Sequence, residues 1–152
     1  MSTQNEVRKA SERFYDALNR LLGGDASVLT DVWSHTEAAT AMHPVGGRQV
    51  GWDDVQRSWE QIAPLSSGGQ VELDDQVIEV IGDAAYEVGF ERGQMELAGE
   101  RITLDHRVTN IYRREGGQWK MVLHHTDVSA AMQDVLSRVQ TGRQTASVPT
   151  GG

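Results

Sequence analysis

At 152 residues the chain is long enough to bury a hydrophobic core and short enough for one domain. It has no cysteine, which excludes disulfides, thiolate metal sites and a cysteine nucleophile, so packing alone must hold the fold. The net charge is −8 with the arginines scattered, which argues against a nucleic-acid or anionic-membrane partner. Met1 to Asn5 carry no basic region leading into an apolar run, and no apolar stretch approaches the roughly 18 residues that span a bilayer. The expectation is a soluble cytoplasmic protein that meets a small molecule or another protein.

In chain order, residues 1–5 read as a flexible N-terminus, 6–139 as one domain and 140–152 as a disordered tail of Gly, Thr, Ser and Pro. Thr3 with Glu6 predicts a capping box, and Val7, Ala10, Phe14, Leu18 and Leu21 recur at helical spacing until Gly23-Gly24 stops them. Asp25 is placed to cap a second, short helix through Ala26 to Val32, which leads into Trp33. Ala38 to Met42 reads as a strand closed by Pro44, which also biases His43 toward an extended backbone, and Gly46-Gly47 permit a turn. Trp52, Val55, Trp59 and Ile62 share one face of a third helix that begins near Gly51 and ends before Pro64.

After a loop at Leu65 to Gly69 the period changes from helical to alternating. Val71, Leu73, Val77 and Ile81 mark one long strand, and Tyr86, Val88 and Phe90 mark the next. Between turns at Ala98-Gly99 and Gly116-Gly117, Ile102, Leu104, His106, Val108, Asn110 and Tyr112 form one face of a strand whose other face is Arg101, Thr103, Asp105, Arg107, Thr109 and Ile111. A last strand runs from Trp119 to Thr126, and Met132, Val135, Leu136 and Val139 suggest a terminal helix capped near Ser129. Three helices with a short strand inserted, then an antiparallel meander, predict an α+β fold with helices on one face of a sheet.

Three stretches, in this order, carry a resemblance. They are Glu12-Arg13-Phe14-Tyr15-Asp16-Ala17-Leu18-Asn19, then Ala39-Thr40-Ala41-Met42-His43-Pro44-Val45-Gly46-Gly47, and last Gly116-Gly117-Gln118-Trp119-Lys120-Met121-Val122-Leu123-His124-His125-Thr126. From about Glu6 to Val128 the chain resembles the nuclear-transport-factor-2-like superfamily, and within it the SnoaL-like and ketosteroid-isomerase-like proteins. The resemblance implies a cone, a curved antiparallel sheet wrapped around three N-terminal helices (cystatin-like), with an apolar cavity and homodimerisation through the sheet. It implies no cofactor and no metal.

In ketosteroid isomerases an aspartate just before the Pro-x-Gly turn is the general base, and His43 stands at that place. Histidine suits proton transfer, since its unperturbed pKa of about 6.5 lies near working pH. The isomerase oxyanion hole pairs a tyrosine of the first helix with a protonated aspartic acid on a later strand. Phe14 and Asn110 align with them; Phe14 cannot donate a hydrogen bond, whereas Asn110 and the neighbouring Tyr15 can. The resemblance therefore implies His43, Asn110 and Tyr15 as catalytic candidates, without the isomerase oxyanion pair.

Phe14, Trp33, Trp52, Trp59, Tyr86 and Phe90 read as cavity wall and core, because their spacing follows burial rather than a nucleic-acid stacking pattern. His106 joins them as a ligand-binding candidate. His124 and His125 must face opposite sides of their strand, and the resemblance favours His125 for the cavity. His43, His106 and His124 or His125 could converge on a metal, but no His-x-His or His-x-x-x-His spacing supports one. Asp105 and Arg107 lie two apart on one strand face and read as an exposed ion pair rather than a water-activating set.

Two functions are expected. One is proton transfer next to a carbonyl, of isomerase, cyclase or dehydratase type, on a small apolar or cyclic organic molecule in the cavity. The other is a non-catalytic ligand-binding or dimerisation module of the same fold.

Overall fold

The computed structural model describes residues 2–147, with side chains as far as residue 141. The first helix, α1, spans Thr3–Leu22 and buries Val7, Ala10, Phe14, Leu18 and Leu21 on the face their spacing predicts. Its cap is Ser2, whose hydroxyl accepts from the Asn5 N–H, so the helix starts inside the stretch expected to be flexible. Glu6 is thereby freed from capping; it accepts from the Trp119 indole N–H and pairs with Arg114, tying α1 to the sheet.

The second expected helix is a single 3-10 turn, Ser27–Asp31. Asp25 Oδ1 accepts from both the backbone N–H and the hydroxyl of Ser27, which holds the chain in a turn too tight for a regular helix. Strand β1, Thr40–Met42, and strand β2, Gln49–Val50, form a small hairpin that leads into α2, Trp52–Ile62. β3 (Ser66–Ile81), β4 (Ala84–Leu97), β5 (Glu100–Glu115) and β6 (Gln118–Thr126) form the meander. The strand order is β2-β1-β6-β5-β4-β3, antiparallel except where β1 runs parallel to β6. The sheet is curved and unclosed, α1 packs on its inner face, and the class is the expected α+β.

The meander differs from its expected faces in two places. A register shift between Asp74 and Val77 inserts an irregularity in β3, with Asp75 at φ 55°, and the parity of the strand inverts there. Val71 faces the core before it and Ile78 after it, which leaves Val77 and Ile81 54% and 64% exposed. In β4 the inward residues are Ala85, Glu87, Glu91, Met95 and Leu97, so Tyr86, Val88 and Phe90 lie on the outer face. The cause is tertiary: in register, Ala85, Glu87 and Glu91 stand opposite Tyr112, Asn110 and His106, which supply the polar partners that a buried carboxylate requires. Gly93 lets β3 approach β4, because a Cβ there would sit 1.8 Å from the Gln70 carbonyl oxygen.

The terminal helix, α3, spans Ala130–Ser147 and therefore runs past Val139, the last residue of the expected domain, into the expected tail; residues 148–152 of that tail lie outside the described residues. The Ser129 hydroxyl accepts from the Met132 N–H as the expected cap, and Met132 and Val135 are buried. Among the described residues no helix is long and apolar enough to cross a membrane.

Candidate active site

His43 is delivered by the parallel pairing of β1 with β6. β1 lies beside β6 with Ala41 opposite His124, and the chain then turns through Pro44 and Val45, closed by a 2.9 Å bond from the Gly46 N–H to the His43 carbonyl. The imidazole is 5% exposed, with Nε2 2.8 Å from Ser58 Oγ. Ser58 commits its only hydrogen to the Val55 carbonyl at 2.6 Å, so it can only accept from His43. The proton is thereby assigned to Nε2, and Nδ1 is left bare. Burial, reinforced by His124 and opposed by Glu91, pushes the His43 pKa down from 6.5 to about 3, so the ring is neutral at physiological pH.

A second set of polar side chains lies deeper. Glu91, 3% exposed, accepts from His106 Nε2–H at 2.7 Å and from the Tyr15 hydroxyl at 2.8 Å. Burial alone would push its carboxyl up; the hydrogen bonds from His106 and Tyr15, together with nearby imidazole charge, outweigh that and hold it below the usual carboxylate value. Glu87 is fully buried and accepts from Asn110 Nδ2 at 3.0 Å, the Tyr112 hydroxyl at 2.9 Å and Gln76 Nε2 at 2.6 Å. Gln76 reaches it because the irregularity in β3 turns that residue inward.

This network fixes a tautomer. Asn110 gives one amide hydrogen to Glu87 and the other to the Tyr15 oxygen at 3.0 Å, so its Oδ1 must face His124 Nδ1, 2.7 Å away. His124 therefore carries its proton on Nδ1 and has a bare Nε2, and burial keeps the ring neutral by lowering its pKa. The His43 and His124 ring centroids are 6.2 Å apart, with Trp59 at 4.4 Å from the first and 5.8 Å from the second.

His43, Glu91, His106 and His124 line one cavity of about 50 Å³, whose remaining wall is almost entirely apolar, including Leu18, Trp59, Met95 and Met132. That is room for a water or two, against the roughly 300–1,000 Å³ of a ligand-filled pocket. On the far side of His43 a groove of about 760 Å³ runs between α2 and α3 and shares His43, Val45 and Ile62 with the cavity wall. Among the described residues no three His, Asp or Glu side chains are placed to hold a metal ion.

Of the residues expected at the site, His43, Trp59 and His106 line this cavity. Phe14 packs beneath His124 with ring centroids 5.1 Å apart, Trp33 is core, and Trp52 stacks on His35 at 4.5 Å. Tyr86 and Phe90 are on the outer face, where Phe90 carries the Arg92 guanidinium 4.6 Å from its ring centre. His125 is exposed and its neighbour His124 takes the inward position, because β6 alternates and its register places His124 opposite Asn110. Tyr15 and Asn110 are buried and bonded to one another, but every hydrogen they can donate is already committed to Glu91, Glu87 or each other, so neither is free for a ligand oxygen. Asp105 and Arg107 are exposed ion-pair members as expected, with different partners: Arg92 and Asp127. Glu87, Glu91 and Ser58 were not anticipated. The signal available for the two acids was their spacing of four on a strand, which fixes one shared face, opposite a strand whose inner face already carried His106 and Asn110.

A helical layer packed inside a curved, unclosed sheet is the α+β cone of the NTF2-like class. The chain aligns over 83% of its length with 95% of a Streptomyces avermitilis protein described as a candidate dehydratase of the NTF2-like family, at 26% identity and a TM-score of 0.73. It also aligns over 84% of its length with 91% of an NTF2-like superfamily protein from Salmonella enterica, at 16% identity and a TM-score of 0.73. The CaMKII hub of S. rosetta shares the fold at 16% identity and a TM-score of 0.68, with 85% of this chain and 98% of that one covered. The model of the SnoaL-like domain matches residues 7–132, and the chain belongs to that family. No curated protein matches it.

Proposed function

We propose that the chain is a small-molecule-binding SnoaL-like enzyme that moves a proton next to a carbonyl, as isomerases, cyclases and dehydratases do, with His43 as the proton carrier. The observation that supports this best is the placement of His43, Glu91, His106 and His124 around one apolar cavity. An apolar set would pack such a core as well or better, since burying ions is expensive even when they are paired. The bare Nδ1 of neutral His43 takes a proton from the carbon beside the carbonyl, while Ser58 holds the ring through Nε2–H. The imidazolium so formed is stabilised by the Glu91 carboxylate, which acts to raise the His43 pKa. It then returns the proton to a different carbon in an isomerisation, or to a departing hydroxyl in a dehydration. The relative from Streptomyces avermitilis favours the second variant.

The cavity and the groove beyond His43 share His43, Val45 and Ile62, so a ligand larger than water needs side chains of that common wall to shift. The test is proton–deuterium exchange beside the carbonyl of small cyclic ketones in D₂O, followed by NMR. Wild type is expected to accelerate exchange, and His43→Ala to lose about 100-fold of it or more. Exchange no faster than in buffer for every ketone, or unchanged exchange in His43→Ala, would sink the reading.

A second reading, assembly through the outer sheet face, is favoured by Val77, Ile81 and Tyr86, which are 54%, 64% and 38% exposed on adjacent strands. The hub of S. rosetta has the same fold. On this reading the chain is a homodimer through the sheet, and Ile81→Lys is expected to convert it to a monomer in light scattering with its circular dichroism unchanged. A wild-type chain that is already monomeric removes the proposal.

A further inference from the structure

We infer that the Trp59 indole N–H is the donor that receives the ligand's oxygen, so that the cavity selects small molecules with a carbonyl or similar acceptor beside the carbon His43 acts on. This rests on the small-molecule reading above and names what the site recognises. Trp59 is 4% exposed, lines the cavity, and its Nε1 has no hydrogen-bond partner. Buried donors are nearly always satisfied, and a phenylalanine would fill similar space without leaving one unmet.

The surrounding donors are all committed. Tyr15 gives its hydrogen to Glu91, Asn110 both of its amide hydrogens to Tyr15 and Glu87, His106 Nε2–H to Glu91, His43 Nε2–H to Ser58 and His124 Nδ1–H to Asn110. What remains around the cavity is one donor without a partner, the indole N–H of Trp59, and one ring nitrogen without a hydrogen bond on each of His43, His106 and His124. Helix α2 places Ser58 and Trp59 next to each other, so the residue that orients His43 and the residue that offers the N–H move as one body. The Trp59 ring meets the His43 ring edge-on at 4.4 Å, so a ligand oxygen on the indole N–H keeps the adjacent carbon close to His43. Trp33 has an unpartnered Nε1 as well, but it is not part of this cavity's lining and its neighbours are the Trp52 and Trp59 rings at 6.4 and 6.3 Å. It serves as the internal control.

The experiment uses the full chain labelled with ¹⁵N, in which the four tryptophans give four indole N–H signals. The signal that persists in each of Trp33→Phe, Trp52→Phe and Trp119→Phe belongs to Trp59, so its assignment needs no change at Trp59 itself. Cyclohexanone is the probe and methylenecyclohexane its match without an acceptor oxygen. The expected result is a downfield shift of the Trp59 indole proton with cyclohexanone and no shift at Trp33. Trp59→Phe is expected to bind cyclohexanone about tenfold more weakly with methylenecyclohexane changed less than twofold. Cyclohexanone binding with the Trp59 signal unmoved, or equal loss for both probes, overturns the donor assignment and leaves the cavity reading standing. No perturbation of the His43 and His124 ring signals by either probe overturns both.

Discussion

Replacing Glu91 by alanine is expected to cost about 3–5 kcal/mol of folding stability, read as a lower urea midpoint with an unchanged slope. Two buried donors lose their acceptor in that variant: His106 Nε2–H at 2.7 Å and the Tyr15 hydroxyl at 2.8 Å. Both side chains of the Glu91–His106 pair are almost fully buried, so water cannot replace the missing carboxylate without opening the core. The exposed pair Arg138–Glu100 supplies the contrast, and Glu100→Ala is expected to change stability by less than about 1 kcal/mol. Similar small losses at the two positions would show that the buried network is not a major part of the fold's stability. Glu91 also ties stability to pH. Its native pKa lies below the unfolded value of about 4.3, so its contribution is complete above that value and is lost as pH falls through the lower native one.

The larger pH effect comes from His43 and begins at milder acidity. Between its unfolded pKa of 6.5 and its native value of about 3, the unfolded chain binds a proton that the native chain does not. Stability therefore rises with pH across that window, and each unit of acidification below 6.5 costs about 1.4 kcal/mol at this residue. His124, whose pKa is also lowered by burial, acts in the same direction. Urea midpoints measured from pH 7.5 to 5 are expected to fall steeply in wild type and less steeply in His43→Gln, whose amide reaches the position of Nε2 to donate to Ser58 and which removes the titration. Parallel curves for the two proteins would mean that His43 titrates normally in the native state. The same burial that makes the protein acid-labile leaves Nδ1 of His43 unprotonated at physiological pH but weakens it as a base, so the proposed proton transfer draws on the Glu91 carboxylate to offset part of that cost.

Helix α1 and the inner face of β5 were legible because each repeats one period without interruption: Val7, Ala10, Phe14, Leu18 and Leu21 at helical spacing, and Ile102 through Tyr112 in strict alternation. The position of His43 was legible too, since Pro44 and the two glycines after it mark a strand end and a turn whatever surrounds them. In β3 and β4 local pattern misled. Val71, Leu73, Val77 and Ile81 share odd parity, but the irregularity at Asp75 and Gln76 inverts it between the second and the third. Tyr86, Val88 and Phe90 looked like an inner face because hydrophobicity was the only local evidence, while Glu87 and Glu91 looked like solvent.

By itself the sequence determined the class of fold, the edge of the cavity and two of its histidines, His43 and His106, because periodicity, turn chemistry and a proline act within a few residues. Only the tertiary structure decided which side of β4 and β6 faces inward. An isolated carboxylate belongs in water, and it goes inside only where a neighbouring strand brings His106, Asn110 and Tyr112 into register to satisfy it. The same pairing decided that His124 rather than His125 enters the cavity, and that Tyr15 and Asn110 spend their hydrogens on buried acids. The unmet donor on Trp59 is the remainder of that allocation, and it exists only once every strand is in place.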